Sequence, residues 1–310
     1  MKIIGIDHGN SHVKTCHWSF VSGLHVYQDK PAEGEYLKWN DKFFVLSNQR
    51  LATQKDKTKT DDFRVLTMFA IAKELQSSHD YEPGMEIGLA IGLPPEHMTS
   101  AASVKAWGSY FTSKGRTWNF EYNGRPYTVR IEKVHVYAQG YAIVILKPKD
   151  FQCSTSYIVD IGGYTCDILR LNNAETDPSM RLSLDLGVIT FLNEAKSQVN
   201  TALRFTPTEG EILDCVQQGK ANSPELAKII GLAFDQYSTR VINTLSERGI
   251  DLRYSTVKFC GGGSQLLKVN LEKAAGTNKG VTFEDDIKAN AKAYQKIMEM
   301  KMKMSTAGRG

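Results

Sequence analysis

The sequence predicts an α/β protein of two similar lobes, and the main reason is a short hairpin that occurs twice. Tyr157-Ile158-Val159 is an apolar strand ending at Asp160, Gly162-Gly163 supplies a tight turn, and Cys166-Asp167-Ile168-Leu169 leads back. The opening residues repeat this plan. Ile3-Ile4-Gly5-Ile6 ends at Asp7, His8-Gly9-Asn10-Ser11 turns, and Val13 to Trp18 returns. Asp160 follows Asp7 by 153 residues, about one domain length, and aligning the two carboxylates also aligns Gly9 with Gly162. A carboxylate at a strand tip followed by glycine suits a nucleotide phosphate. The glycines let backbone N–H groups approach phosphate oxygens, and the Asp can hold a magnesium ion through water. Two such hairpins predict two lobes facing a shared nucleotide. Lys14, on the first return strand, is spaced for its ammonium to reach the phosphates, although an ordinary solvated lysine would read the same.

A third glycine cluster, Phe259-Cys260-Gly261-Gly262-Gly263-Ser264, ends another apolar strand and opens a helix. There the backbone could pass flat against a purine or approach a phosphate; a plain flexible turn is the alternative. Together, Asp7-x-Gly-Asn-Ser-x-x-Lys14, Asp160-Ile-Gly-Gly-Tyr-Thr and Phe259–Ser264 resemble the phosphate 1, phosphate 2 and adenosine motifs of the actin/sugar-kinase/heat-shock-chaperone superfamily. Within it the chain most resembles the ParM/StbA group of bacterial actin-like plasmid-segregation proteins. Supporting stretches are DKTKTDDFRVLTMFAIAKEL, AIGLPPEHM, and Ala289-Asn290-Ala291 opening a helix, so the likeness runs from residue 2 to about 300.

The resemblance implies a two-lobe actin-like ATPase fold, built of duplicated ribonuclease H-like domains with a nucleotide cleft between them. Domain I would be 1–151, domain II 152–283, and a C-terminal helix over 284–304 would pack back on domain I. The implied phosphate contacts are His8, Gly9, Asn10, Ser11 and Lys14 on one hairpin and Gly162, Gly163 and Tyr164 on the other. Asp7 and Asp160 would order the waters of Mg2+. The implied nucleoside contacts are Asp185, Gly187, Gln217, Lys220, Gly261, Gly262, Gly263 and Gln265.

The 310 residues suffice for two domains and a large core, and 41% hydrophobic with 23% charged residues is ordinary for a globular protein. No run of 18 apolar residues is present and the first residues enter a strand directly, so neither a membrane span nor a signal peptide is expected. The five cysteines (16, 153, 166, 215 and 260) are scattered without a CxxC pair, which points to a reducing cytoplasm and away from a zinc site. A net charge of +4 is too small to imply nucleic-acid binding.

In order along the chain, Leu24 to Gln28 and Phe43 to Leu46 read as strands. The polar stretch from Asn48 to Asp62, with Lys55, Lys57 and Lys59, reads as a solvated loop or, by analogy with the mobile tip of actin-like proteins, a subunit contact. Val65, Met68, Phe69, Ala72 and Leu75 recur at helical spacing and predict an amphipathic helix. Glu86 to Leu93 is a strand stopped by Pro94-Pro95, a helix follows over 96–111, and Asn123-Gly124 joins Trp118–Tyr122 to Tyr127–Ile131 as a hairpin. A strand around Val134–Val136 leads to Gln139. In the family a Glu or Gln at this helix start orients the attacking water; Gln139 matches it, and its amide could hold a water in line with the terminal phosphate.

In the second lobe, Leu182–Leu186 reads as a strand and Ile189–Val199 as a helix. Thr208 and Glu211 make a capping box, which by itself accounts for Glu211. Ser223-Pro224 starts a helix with Leu226, Ile229, Ile230, Ala233, Phe234, Tyr237, Val241 and Leu245 on one face, ended by Gly249. Thr256–Cys260 and Val281–Phe283 read as strands. The last helix runs from Asp286 to about Met304 with Ile287, Ala291, Tyr294 and Met298 on one face, and KMKMSTAGRG is expected to fray. The functional expectation is a magnesium-dependent ATP or GTP hydrolase that assembles head to tail into filaments. It would move plasmid DNA through an adaptor protein, in the cytoplasm and without a membrane. Two alternatives stay open: a monomeric kinase on the same fold, for which no general-base Asp stands out, and a non-polymerising nucleotide-binding scaffold.

Overall fold

The computed structural model describes all residues except Thr53, Lys55 and 308–310. It has two compact units, one of residues 1–150 and 288–310, the other of residues 151–287. The first unit begins with β1 (Lys2–His8), β2 (His12–Lys14), β3 (Ser19–Val21), β4 (Leu24–Tyr27), β5 (Tyr36–Trp39) and β6 (Lys42–Leu46). It continues through α1 (Asp62–Ser78), β7 (Met85–Leu93), α2 (Ala101–Tyr110), β8 (Thr117–Tyr122), β9 (Arg125–Ala138) and α3 (Tyr141–Leu146). The strands form one sheet in the order β3-β2-β1-β7-β9-β8-β5-β6-β4, with β1, β7 and β9 parallel. Flanked on both sides, β1 and β7 are nearly continuous apolar runs, as parallel strands covered on both faces must be.

Local chemistry sets the joints. Asn123 and Gly124 have φ of 50° and 79°, the pair of positive values that a two-residue hairpin matched to strand twist requires. β9 runs unbroken over 14 residues where the pattern suggested two strands; the irregularity is taken up as a register shift at Ile87/Gly88 of β7. The helix expected over 96–111 is split. His97–Thr99 is a separate 3-10 turn, and Ser100 (φ −101°, ψ 109°) caps α2 by accepting the Ser103 amide at 3.2 Å.

α1 corrects a second expectation, for it is buried all round from Phe63 to Leu75 rather than along one stripe. Its polar residues are covered because each finds a partner. Arg64 bonds Asp61 at 3.1 Å and reaches the Tyr110 carbonyl, and Lys73 pairs with Glu35 at 2.5 Å. Glu74 accepts from the Thr15 hydroxyl, the His17 amide at 3.0 Å and the His17 ring at 2.7 Å. Buried charge without such partners would be strongly destabilising.

The second unit contains β10 (Ser156–Ile161), β11 (Cys166–Asn172), β12 (Glu175–Leu184), α4 (Val188–Leu203), α5 (Glu209–Gln218) and α6 (Pro224–Glu247). It then adds β13 (Val257–Cys260), α7 (Gly262–Leu266), α8 (Lys268–Ala275) and β14 (Val281–Phe283). Its sheet runs β12-β11-β10-β13-β14. Order and strand direction repeat those of β3-β2-β1-β7-β9, so the internal repeat extends from the hairpins to the sheets. β12 is longer than its apolar stretch because an edge strand tolerates Pro178. The Thr208–Glu211 capping box and the Ser223 cap form as expected, and the apolar face of α6 packs with Phe191, Ile212 and Phe259.

The chain then returns to the first unit as α9 (Ala289–Ala307), seated on β1 and β7. Ala291, Tyr294 and Met298 are buried as expected; Ile287 is not, at 41% exposure, because it precedes the helix and belongs to the other unit. Three glycines make the seat. A Cβ on Gly5 would lie 2.0 Å from the Ala291 carbonyl oxygen, one on Gly92 2.4 Å from Tyr294 Oη, and one on Gly88 2.7 Å from Met298 Cε. Beyond the short β2, Gln295 completes the ladder by accepting the Gly5 amide at 3.1 Å. The fraying expected at the end of the chain falls partly on 308–310, outside the described residues, while α9 itself continues to Ala307.

Candidate functional site

In the first unit, strand alternation separates two neighbours that the sequence grouped together. Along β1, Ile4, Ile6 and His8 face the α1 side, and Gly5 and Asp7 face the α9 side. The His8 ring is therefore buried among Phe63, Trp107 and Phe111, bonded to Thr67 at 2.8 Å, with no partner at Nδ1. Burial, and then the nearby Lys57 ammonium, push its pKa well below the usual value for histidine. Of His8, only the backbone is available to a ligand.

Asp7 turns the other way. Its carboxylate is 5% exposed, and Gln139, 132 residues later in the chain, donates its amide to Asp7 Oδ1 at 2.9 Å. The glutamine is held at its backbone as well. Its amide bonds the Leu93 carbonyl at 2.9 Å, and Gly140, at φ 74°, donates to Asn290 Oδ1 at 3.0 Å. With its amide nitrogen on the carboxylate, Gln139 keeps Oε1 as an acceptor, and an amide oxygen can hold a water without being a base. Lys14 stands directly across from Asp7 in the ladder, on the same face.

The turn between β1 and β2 is drawn to one side. Ser22 takes the Gly9 carbonyl at 2.6 Å through its hydroxyl and the Ser11 carbonyl at 2.9 Å through its amide. Because each trans peptide sets N–H opposite C=O, the amides of Asn10 and His12 point away from Ser22. Gly9 has no room for a side chain, since a Cβ would lie 2.7 Å from the His12 carbonyl oxygen.

The second hairpin is braced from one side in the same manner by α4. The carbonyls of Gly162, Gly163 and Tyr164 accept the amides of Val188, Ile189 and Gly187 at 3.1, 2.7 and 3.0 Å. The next amides, of Gly163, Tyr164 and Thr165, therefore face the opposite side, a run of donors suited to an anion. Gly187 is what permits the contact: its Cβ would fall 2.3 Å from the Tyr164 carbonyl carbon. Its role here is to support the turn.

Asp160, 7% exposed, pairs in register with Asp167 on β11 and with Cys260 on β13. Burial, then the Asp167 and Asp160 carboxylates, push the adjoining Cys166 thiol up. Gly261, at φ 85°, crosses directly above Asp160, where a Cβ would come within 2.3 Å of Oδ1. Gly263 packs equally closely on Ile161, whereas Gly262 is exposed with open space beside it. Of the three glycines, Gly262 is the one whose backbone a base could lie against.

The remaining candidates differ in exposure and partners. Gln265 spends its amide on the Glu284 carbonyl at 3.0 Å, Asp185 is exposed, and Gln217 and Lys220 are exposed at the end of α5. Lys57, read as part of a solvated or subunit-contact loop, instead donates to the His8 carbonyl. No short-range pattern announces that contact; Lys55 of the same loop lies outside the described residues. Among the described residues no three His, Cys, Asp or Glu side chains gather to cage a metal. The donors present, separate carboxylates beside turns of backbone amides, fit a magnesium ion held through water and phosphate oxygens.

Residues 34–141 match the family model for the actin-like proteins N-terminal domain, and residues 158–273 that for the archaeal actin homologue MreB-like C-terminal domain. Among solved structures, an archaeal actin homolog is 20% identical with a TM-score of 0.76, over 97% of this chain and 100% of that one. The same homolog has been solved in complex with ADP, at 19% identity and TM-score 0.73, with the same shares covered. A 15-stranded ParM filament from Clostridium botulinum is 17% identical with a TM-score of 0.76, again over 97% and 100%. None of the curated proteins matches the chain in a sequence search. At these identities the structural likeness establishes the fold.

Proposed function

The chain belongs to the actin-like proteins, and on that premise we propose that it binds and hydrolyses a magnesium–nucleoside triphosphate and assembles with copies of itself into a filament. The observation that carries this reading is the Gln139–Asp7 hydrogen bond of 2.9 Å. It joins a carboxylate suited to a metal's waters to an amide suited to the attacking water, beside a turn that aims backbone donors outward.

In this mechanism the amides of Asn10, Gly163, Tyr164 and Thr165 hold phosphate oxygens, and Lys14 adds a charge on the Asp7 face. Asp7 and Asp160 would hold a magnesium ion through water, and Gln139 Oε1 would place the hydrolytic water. A bound magnesium ion would neutralise phosphate charge as the terminal group transfers. Gly262 offers a flat backbone surface for the base. Assembly is supported by the likeness to a ParM filament, and the biological task implied by the family resemblance of the sequence motifs is the movement of plasmid DNA through an adaptor protein in the cytoplasm. A head-to-tail contact that does not close on itself propagates as a filament.

The test is 90° light scattering with phosphate release in parallel, after magnesium with ATP, then GTP, then a non-hydrolysable analogue. A rise above a critical concentration that decays as phosphate appears is the expected result. Phosphate release with a flat trace would mean a soluble enzyme such as a kinase; no release and no scattering would leave a scaffold.

A further inference from the structure

The segment from Ser47 to Asp61 is fastened at both ends. The Leu51 amide bonds the Ser22 carbonyl at 2.8 Å, and the Asp61 carbonyl accepts the Arg64 and Val65 amides at 2.9 Å each. Among the described residues between these ends several side-chain bonds are local, while the Thr60 carbonyl accepts the Tyr110 hydroxyl at 2.8 Å. Asp56 accepts the Thr58 amide at 3.0 Å and hydroxyl at 2.6 Å, while Gln54 and Thr60 donate to Asp62 at 2.9 and 2.8 Å. Lys57 also reaches a distant part of the chain. Its ammonium crosses to the carbonyl of His8, the last residue of β1, and lies 4.9 Å from the centroid of the Phe63 ring.

The phosphate turn begins at the next residue, one Cα step of about 3.8 Å away. Two fixed contacts, a carbonyl and an aromatic face, thus hold a positive charge at the mouth of that turn. Its field is also felt by the buried His8 ring, the pKa of which Lys57 depresses as a second cause after burial. A main-chain carbonyl is a neutral acceptor; a phosphate oxygen forms a charge-assisted bond with an ammonium, about twice as strong. A polyphosphate on the Asn10 amide would bring that better acceptor within reach of the lysine's flexible stem.

We propose that Lys57 is a phosphate-binding residue of the first hairpin, a second ammonium in addition to that of Lys14, and that it selects for the number of phosphates on the nucleotide. The inference rests on the nucleotide reading above and assigns to it a residue outside the recognised motifs. Because Lys57 rides on the Ser47–Asp61 segment, binding a triphosphate also changes what holds that segment against β1.

The experiment measures the affinities of ATP, ADP and adenosine, each with magnesium, for the wild-type chain, Lys57→Met and Lys57→Arg, with thermal unfolding of each nucleotide-free protein alongside. Lys57→Met should weaken ATP about tenfold, ADP less and adenosine not at all, and Lys57→Arg should restore most of the loss. A purely structural lysine would shift all three affinities together or only the melting temperature, and that result overturns the proposal, as do three unchanged affinities. If the wild-type chain binds none of the three, the nucleotide reading itself fails first. If Lys57→Met does not fold, Lys57→Arg against wild type still decides: a guanidinium that keeps the charge must preserve the ATP-to-adenosine ratio.

Discussion

Two adjacent residues, Asp7 and His8, show what a sequence can and cannot reveal about a site. The carboxylate at the strand tip was legible because its surroundings repeat at Asp160. The histidine was grouped with it by proximity, yet the two-residue period of a strand sends its ring to the opposite face and into the core. Gln139 was legible only through family likeness; its bond to Asp7 depends on a fold that brings residues 132 positions apart together. Asp160→Ala should abolish turnover and Gln139→Ala should lower kcat by about a hundredfold, measured as phosphate release; wild-type rates in either variant would remove that residue from the site. His8 makes a separate prediction. Its folded pKa is depressed well below 6.5, so the unfolded chain takes up a proton the folded chain refuses. Its contribution to stability is complete above that pH and lost as pH falls, by up to about 1.4 kcal/mol per pH unit. Urea unfolding between pH 7.5 and 5 should show a steeper loss for wild type than for His8→Leu, and parallel curves would acquit His8.

Helices and strands were read well where pattern is local, and misread where tertiary contacts override it. The Asn123-Gly124 hairpin, the Thr208–Glu211 box and the Ser223 cap are all short-range chemistry, and all three stand where the residues put them. α1 was read as amphipathic because Arg64, Lys73 and Glu74 look like a solvated face; each is buried against a partner supplied by a distant segment, which no helical period can foretell. The seat of α9 was invisible for a related reason. Gly5, Gly88 and Gly92 read as weak points in strands until the helix that needs their missing side chains is in view. Gly5→Ala should cost about 2 to 4 kcal/mol, since its methyl would strike backbone rather than a movable side-chain tip. Gly262→Ala, with open space beside it, should leave the melting temperature nearly unchanged. Equal melting temperatures for Gly5→Ala and wild type would contradict the packing described for α9.

On the scale of the molecule, duplication was the feature most plainly written in the sequence, and it holds from hairpin to sheet order. The copies have diverged in charge: the residue opposite Asp7 is Lys14, while the one opposite Asp160 is Asp167. The units differ too in how the chain builds them. The second is one uninterrupted stretch with a core of its own residues, so a 151–287 fragment should melt cooperatively. A 1–150 fragment should instead bind hydrophobic dyes, with the α9 seat uncovered; a non-cooperative melt of the first fragment would contradict this division. During synthesis the amino-terminal half must wait. Its groove over Gly5, Gly88 and Gly92 stays open to water and to chaperones while the next 137 residues emerge and fold. Asn290, which steadies Gly140 beside Gln139, arrives later still. On the proposed function, a nascent chain would thereby be kept from turning over nucleotide until residue 290 has left the ribosome.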